Sequence, residues 1–236
     1  MTVPHLWKGR VLRAVAAIEG GAPSVAIYDD SADQKLFYNS GRLIPAGQFA
    51  ALPALWNLCE RVESGELSAE EKLPFGKTFD EAAAEIIAGS ADTLNALMGF
   101  LGFEGVSAAA TRAGMADTEI VLPVGAPGAE KFNLTCASDA AVFFRKLIRR
   151  EGLSEESCAR LVKAFSDNAE MGKFAAAGVP TAHLAASMPG CEYDAGIFFP
   201  ESEAPIAAAV MTVLLTARGK GVEFCERTAR ALAGKK

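Results

Sequence analysis

Apolar positions Leu6, Val11, Leu12, Val15 and Ile18 recur at helical spacing over residues 5–19. The pattern predicts an amphipathic helix, stopped by "GGAP". "SVAIYDD" and "KLFYNSG" then read as two short strands around "DSADQ", a hairpin. A helix follows Pro45 and continues through "ALPALWNLCERVESGE", with Pro53 either kinking it or lying in its first turn. From about Ser68 to Ala177 the periodicity is mainly helical. "SAEEK" carries a capping-box pattern with Ser68 as N-cap. "TFDEAAAEIIAGS", "DTLNALMGFLG", "SDAAVFFRKLIRREG" and "SEESCARLVKAFSDN" supply further apolar-periodic segments, and "LPVGAPGAEKFN" a Gly/Pro loop. After Pro180, "TAHLAAS", "CEYDAGIFFP" and "PIAAAVMTVLLTA" read as three strands joined by short turns, hence antiparallel neighbours, before a last helix over Gly221–Ala233.

This order predicts an α/β (α+β) fold: one five-stranded antiparallel sheet from residues 23–40 and 180–217, flanked by terminal helices, plus an all-helical subdomain. The expected division is a sheet subdomain of residues 1–65 and 178–236 and a helical subdomain of 66–177, in one compact unit.

Composition narrows the function. Half of the 236 residues are hydrophobic and 22% are charged, an ordinary globular balance. A formal net charge of -6 without a basic block argues against nucleic-acid or anionic-membrane binding. Cys59, Cys136, Cys158, Cys191 and Cys225 are odd in number and lack tight spacing, which predicts reduced thiols. With only His5 and His183 as histidines, neither a structural zinc site nor a cofactor is expected. The N-terminal segment has no uncharged apolar core of signal-peptide length, and no apolar run is long enough to insert into a membrane. The expectation is a soluble, cytoplasmic protein, or an extracytoplasmic one if a signal has been trimmed.

Several stretches carry a resemblance. "SVAIYDDSADQKLFYNSGRLIPAG", "LCERVESGELSAEEKL", "FNLTCASDAAVFFRKL" and "VPTAHLAASMPGCEYDAGIFFP" together resemble the class A-like members of the serine β-lactamase and penicillin-binding protein (D-Ala-D-Ala peptidase) superfamily, over nearly the whole chain from about residue 22. The resemblance implies that family's fold and three motifs, S-x-x-K, S-x-N and K-T-G, which supply acyl-transfer chemistry. Ile44-Pro45 and Leu52-Pro53 register the first motif so that Gln48 falls at the nucleophile and Ala51 at the Lys; a one-residue slip gives Gly47 and Ala50. The second falls on Gly89-Ser90-Ala91 or on Ser90-Ala91-Asp92, without the Asn, while Asn95 matches a residue just downstream. The third falls on Leu184, Ala185 and Ala186, between His183 and Ser187, and Asp194-Ala195-Gly196 continue the match. The Ω-loop reads as short, with no counterpart of the acid that activates deacylating water.

By this registration Gln48, Ala51, Ser90, Asp92, Leu184, Ala185, Ala186 and Ser187 line a vestigial cleft with no catalytic residue. A carboxamide is no nucleophile at neutral pH, and removing one member of a hydrolase catalytic unit costs roughly a million-fold in kcat, about 8 kcal/mol. Two functions stay open: a non-catalytic member retained for binding a small molecule or a protein, and a hydrolase using relocated residues of the same cleft. Ser90, Asp92, His183, Ser187, Glu192 and Tyr193 are candidates for the latter. His183 and Ser187 share a strand face but stand about 13 Å apart, too far for a dyad. The pairs Asp29-Asp30 and Glu201/Glu203 read as solvated turns, and Arg145, Lys146, Arg149 and Arg150 as a solvated helix face.

Overall fold

The computed structural model describes residues 7–126, 131–201 and 204–234. Helix α1 (Trp7–Ala17) leads into β1 (Ala22–Asp29) and β2 (Gln34–Tyr38). A two-residue strand β3 (Ile44–Pro45) and a 3-10 turn (Gly47–Ala50) then enter α2 (Ala51–Glu63). Next come α3 (Phe79–Ile87), α4 (Ala91–Leu101), α5 (Phe103–Arg112), the short β4 (Leu134–Thr135), α6 (Ala137–Arg149) and α7 (Glu155–Asp167). Two 3-10 turns (Ala169–Met171, Lys173–Ala177) lead to β5 (Thr181–Met188), β6 (Cys191–Phe198), β7 (Ile206–Val213) and α8 (Arg218–Leu232).

The five long strands form one antiparallel sheet in the order β2-β1-β7-β6-β5, so both chain ends build it, as the pattern predicts. Strand alternation then sorts the core into two layers. Val25, Ile27, Ala208, Val210 and Phe198 pack with Val11 and Val15 of α1 and Phe224 of α8. Ala26, Ala209, Met211, Tyr193 and Leu184 belong to the larger cluster with Phe49, Trp56, Phe143 and Phe165 of the helical side. Every residue from Ala51 to Cys59 is buried, so the first half of α2 is apolar all round and runs through the centre of that cluster. Pro53 sits in its first turn, where the missing N–H has no intrahelical partner to lose.

Local chemistry fixes most helix starts. Thr78 and Glu81 form a reciprocal capping box on α3, and Ser90 and Ser154 cap α4 and α7. Three expectations are corrected. Ser68 starts no helix: its Oγ accepts from the Glu70 N–H in a local turn, and the next helix begins at Phe79. Pro74 would confine a helix there to less than two turns, too short to stand alone. Helix α8 begins at Arg218, not Gly221. Gly221 lies inside it because a Cβ there would come within 2.4 Å of Leu215 and 2.8 Å of Glu192. Helix α6 begins at Ala137 with Cys136 as its N-cap, one residue ahead of Ser138, which lies inside it. Among the described residues all five cysteines are free, and no helix is long and apolar enough to cross a membrane.

Candidate functional site

The 3-10 turn before α2 is held from outside the helix. Ile44 pairs with Thr135, and the Ala46 N–H donates to the Asn133 carbonyl at 2.7 Å. Gly47 follows with φ +50°, a left-handed conformation that favours glycine. It also meets the end of β5: a Cβ on Gly47 would lie 2.4 Å from the Met188 sulfur. The Met188 thioether therefore covers the start of this turn, a role suited to a flexible, polarisable side chain.

Gln48 is half-buried, and its Nε2 donates to the Ile86 carbonyl at 2.6 Å. That carbonyl belongs to the last turn of α3, where acceptors lack intrahelical donors. The carboxamide thus ties the 3-10 turn that enters α2 to the end of α3. Ala51, one turn on, is fully buried.

Ser90 is committed to capping. Its Oγ accepts from the Thr93 N–H at 3.2 Å and donates to Thr93 Oγ1 at 3.0 Å, while Thr93 Oγ1 donates to Glu85 at 2.6 Å. Asp92 is exposed in the first turn of α4, where a carboxylate complements the helix dipole. Asn95 clamps the following loop, donating to the Val124 carbonyl and accepting from its N–H, at 3.0 and 2.7 Å.

On β5 the side chains alternate. Leu184 is 0% exposed and joins the helical-side core with Ala186. His183, Ala185 and Ser187 face the other way. His183 and Ser187 do share a face, and each is engaged separately. His183 Nδ1 lies 2.6 Å from Asp194 Oδ1 and Nε2 2.7 Å from the Ala169 carbonyl. Acceptors at both ring nitrogens suit the doubly protonated imidazolium. Burial works against that charge, but Asp194 outweighs it and the pKa of His183 is raised. Phe174 stacks on the ring, and its N–H donates to Asp194 Oδ2 at 2.9 Å.

Ser187 belongs to a denser group on the same side. Glu192, 1% exposed, accepts from Ser187 Oγ at 2.6 Å, Lys173 Nζ at 2.8 Å and Arg218 Nε at 2.8 Å. Lys173 also donates to the carbonyls of Ala186 and Tyr193 and reaches Ser187 Oγ, at 3.0, 3.1 and 3.2 Å. Burial pushes the Glu192 carboxyl up, yet the bonds from Lys173, Ser187 and Arg218 bring it below its ordinary range. Ser187, Glu192 and Arg218 line one side of a depression of about 250 Å³ beside the β5–β6 turn. The sequence pattern pointed to Ser187 and Glu192 but not to Lys173 or Arg218. A hairpin register places the first pair opposite each other, whereas nothing local brings Lys173 to them.

Two other readings are corrected. Asp29 is buried, not solvated: it accepts from Trp7 Nε1, Ser31 Oγ and the Ala32 N–H at 3.3, 2.9 and 3.2 Å. Trp7 comes from α1, which folds back over the strand end. Arg145 and Arg149 are not merely a solvated face, since both pair with Asp30 at 2.9 and 3.4 Å. Glu201 is exposed in its turn, while Glu203, His5 and part of the Gly125–Gly128 stretch lie outside the described residues. Among the described residues, Asp117, Cys136 and Asp139 bring metal-ligating atoms within 4.8 Å of one another at the start of α6. Thr118 Oγ1 and the Asp117 N–H already donate to Asp139, and burial pushes the Cys136 thiol up to about 12.

The sequence profile described as "Beta-lactamase enzyme family" matches residues 9–235. Among solved structures, the β-lactamase from Sphaerobacter thermophilus DSM 20745 superposes with a TM-score of 0.85 at 20% identity, covering 96% of both chains. PBP-A superposes at 0.83 with 19% identity, over 97% of this chain and 94% of its own. A β-lactamase from Burkholderia ambifaria gives 0.80 at 20% identity, over 96% and 99%. No curated protein matches the chain by sequence.

Proposed function

The chain belongs to the beta-lactamase enzyme family, and from that premise we propose that it is a non-catalytic member, retained for binding a small ligand or a protein partner. The registration of the three motifs puts Gln48, Ala51 and Leu184-Ala185-Ala186 where the family's acyl-transfer groups stand. The observation that carries the reading is the complete burial of Leu184 in the apolar cluster on the helical side of β5. A substrate-binding Lys needs water or counter-charges at that point; here the position serves packing. Three neighbours support it. Gln48 is committed to the Ile86 carbonyl, Ala51 is fully buried, and Met188 lies over Gly47. The cations nearest β5 are committed too, because Glu192 takes both Lys173 and Arg218. Labelling with fluorescent penicillin and turnover of a chromogenic cephalosporin test the reading. Neither is expected, and a stoichiometric acyl adduct by intact mass would overturn it.

One observation favours the second reading, a hydrolase with relocated groups: Ser187 Oγ lies 3.2 Å from Lys173 Nζ and 2.6 Å from Glu192. Against it, four acceptors surround the three N–H donors of Lys173 Nζ, and an ammonium has no lone pair with which to take a proton from Ser187. Labelling by a fluorophosphonate that Ser187→Ala abolishes would favour the relocated hydrolase.

A further inference from the structure

The turn that enters α2 hangs on a small ribbon of three extended segments. Strand β3 pairs with β4, and residues 117–121 join the other side of β4 through the reciprocal bonds of Glu119 and Leu134, at 3.0 and 2.9 Å. Strand alternation gives the ribbon two faces. Ile44, Ala46, Asn133, Thr135, Thr118 and Ile120 are all buried and form the inward face. The outward face carries Leu43, Pro45, Phe132, Leu134 and Val121, and Glu119 is its single charge. Leu43 and Phe132 are 53% and 62% exposed, Pro45 is exposed, and Leu134 and Val121 are half-buried.

A solvated face of antiparallel strands ordinarily carries polar residues, so an outward side this apolar marks a contact surface. The charges at its borders indicate what fits it. Arg42 is exposed beside β3, and Asp117 and Glu119 are exposed on the opposite edge. Among the described residues none of the three has an ion-pair partner. Asp117 also stands with the buried Asp139 and Cys136, their ligating atoms within 4.8 Å, so that edge gathers carboxylates without a cation. Continuing the registers from Ile44 opposite Thr135 and Glu119 opposite Leu134 puts Arg42 and Asp117 at the same end of the ribbon. The basic and acidic borders are therefore level with each other, on opposite sides of one apolar strip.

We propose that this face pairs with the same face of a second copy of the chain, in a weak two-fold dimer. A two-fold axis along β4 lays each copy's β3 edge on the other's 117–121 edge and keeps the level along the strand. Phe132 and Leu134 then meet their counterparts at the centre, and Arg42 comes over the second copy's Asp117, once on each side. Charge that complements itself in this way fixes the register of association. Five apolar side chains are far fewer than the roughly 20–30 residues a side of a standard interface, so the association is weak. The dimer involves neither Gln48 nor Leu184 and is independent of whether the chain has catalytic activity.

Sedimentation velocity of the whole chain tests it, over about 5–500 µM protein. The weight-average sedimentation coefficient is expected to rise from monomer toward dimer, with a Kd on the order of 10–100 µM. Phe132→Ser should weaken the association at least ten-fold and move the melting temperature by less than about 3 °C, since the side chain is mostly exposed. If that variant does not fold, Leu43→Ser on the same strip should show the same loss of association. Arg42→Glu should weaken the dimer at least five-fold, and Arg42→Glu/Asp117→Lys should regain affinity by reversing the pair. Phe37→Ser, on β2 of the large sheet, should change nothing. A monomer at every concentration overturns the proposal. So does unchanged affinity in Phe132→Ser or Arg42→Glu, an equal loss in Phe37→Ser, or a double variant no tighter than Arg42→Glu. Sedimentation with phosphatidylglycerol vesicles by a chain that stays monomeric would also overturn it, giving the face to a membrane surface instead.

Discussion

The ammonium of Lys173 lies 2.8 Å from the carboxylate of Glu192, and the two side chains are only 9% and 1% exposed. Arg218 reaches the other carboxylate oxygen from a side chain that is 74% exposed. The two cations therefore share one anion in very different surroundings.

Glu192→Gln should cost about 3–5 kcal/mol, because it strands a buried ammonium. Arg218→Gln should cost less than about 1 kcal/mol, because its charge is largely solvated. Urea unfolding measures both, and equal losses would refute the distinction. The Glu192 pKa is lowered on folding, so its contribution is present above the unfolded value of about 4.3 and is lost as pH falls through the lower folded value. The gap between wild type and Glu192→Gln should close in acid.

His183 has the opposite sign. Its pKa is raised in the folded chain, so the pair with Asp194 stabilises fully below about pH 6.5 and fades as pH rises through the folded value. Melting temperature should fall on that alkaline side in wild type and stay flatter in His183→Gln. NMR titration of the imidazole supplies the direct check. A midpoint at or below about 6.5 would show that Asp194 does not hold the charge.

The sheet was legible because its strands are short apolar runs joined by short turns, and Ser154 marked the start of α7 by cap chemistry that acts within three residues. Ser68 carried the same local signal and failed, since Pro74 stops any helix there within two turns. Asp29 was misread because its partner Trp7 is 22 residues away on α1. Lys173 escaped notice for the same reason: its acceptors on β5 and β6 are 13 to 20 residues distant. Partners chosen by tertiary packing leave no periodic trace. At the candidate cleft, the side-chain types were plain in the sequence, whereas the engagement of Gln48 with Ile86 and the cover of Met188 over Gly47 belong to the fold alone.

Gln48→Ser should yield no acyl adduct with penicillin. A hydroxyl there would have neither Lys nor carboxylate beside it to take its proton, since Ala51 and Leu184 hold the neighbouring registered positions. The variant also removes the bond to Ile86, so a loss of about 1 kcal/mol is expected. Intact mass after prolonged incubation reads the first outcome and thermal melting the second. Measurable turnover of a chromogenic cephalosporin would reveal a base that the registration overlooks.

Leu184→Lys tests the packing itself. Leu184 is fully buried on the same face of β5 as Ala186, within the cluster that contains Ala51 and Phe49. The ammonium of an introduced lysine would find apolar neighbours on that face, because Lys173, Glu192 and Asp194 form their pairs on the other. It must then lose its proton, drag in water or displace the core. The expected cost is about 2–4 kcal/mol, which for a chain of this size lowers Tm by roughly 4–16 °C. Leu184→Met keeps volume and apolarity and should cost less than about 1.5 kcal/mol. Comparing the two separates charge burial from mere repacking. Equal melting temperatures for wild type and Leu184→Lys would mean that water reaches the position. The cleft would then be open to a small molecule, and the packing argument against catalysis would fail with it.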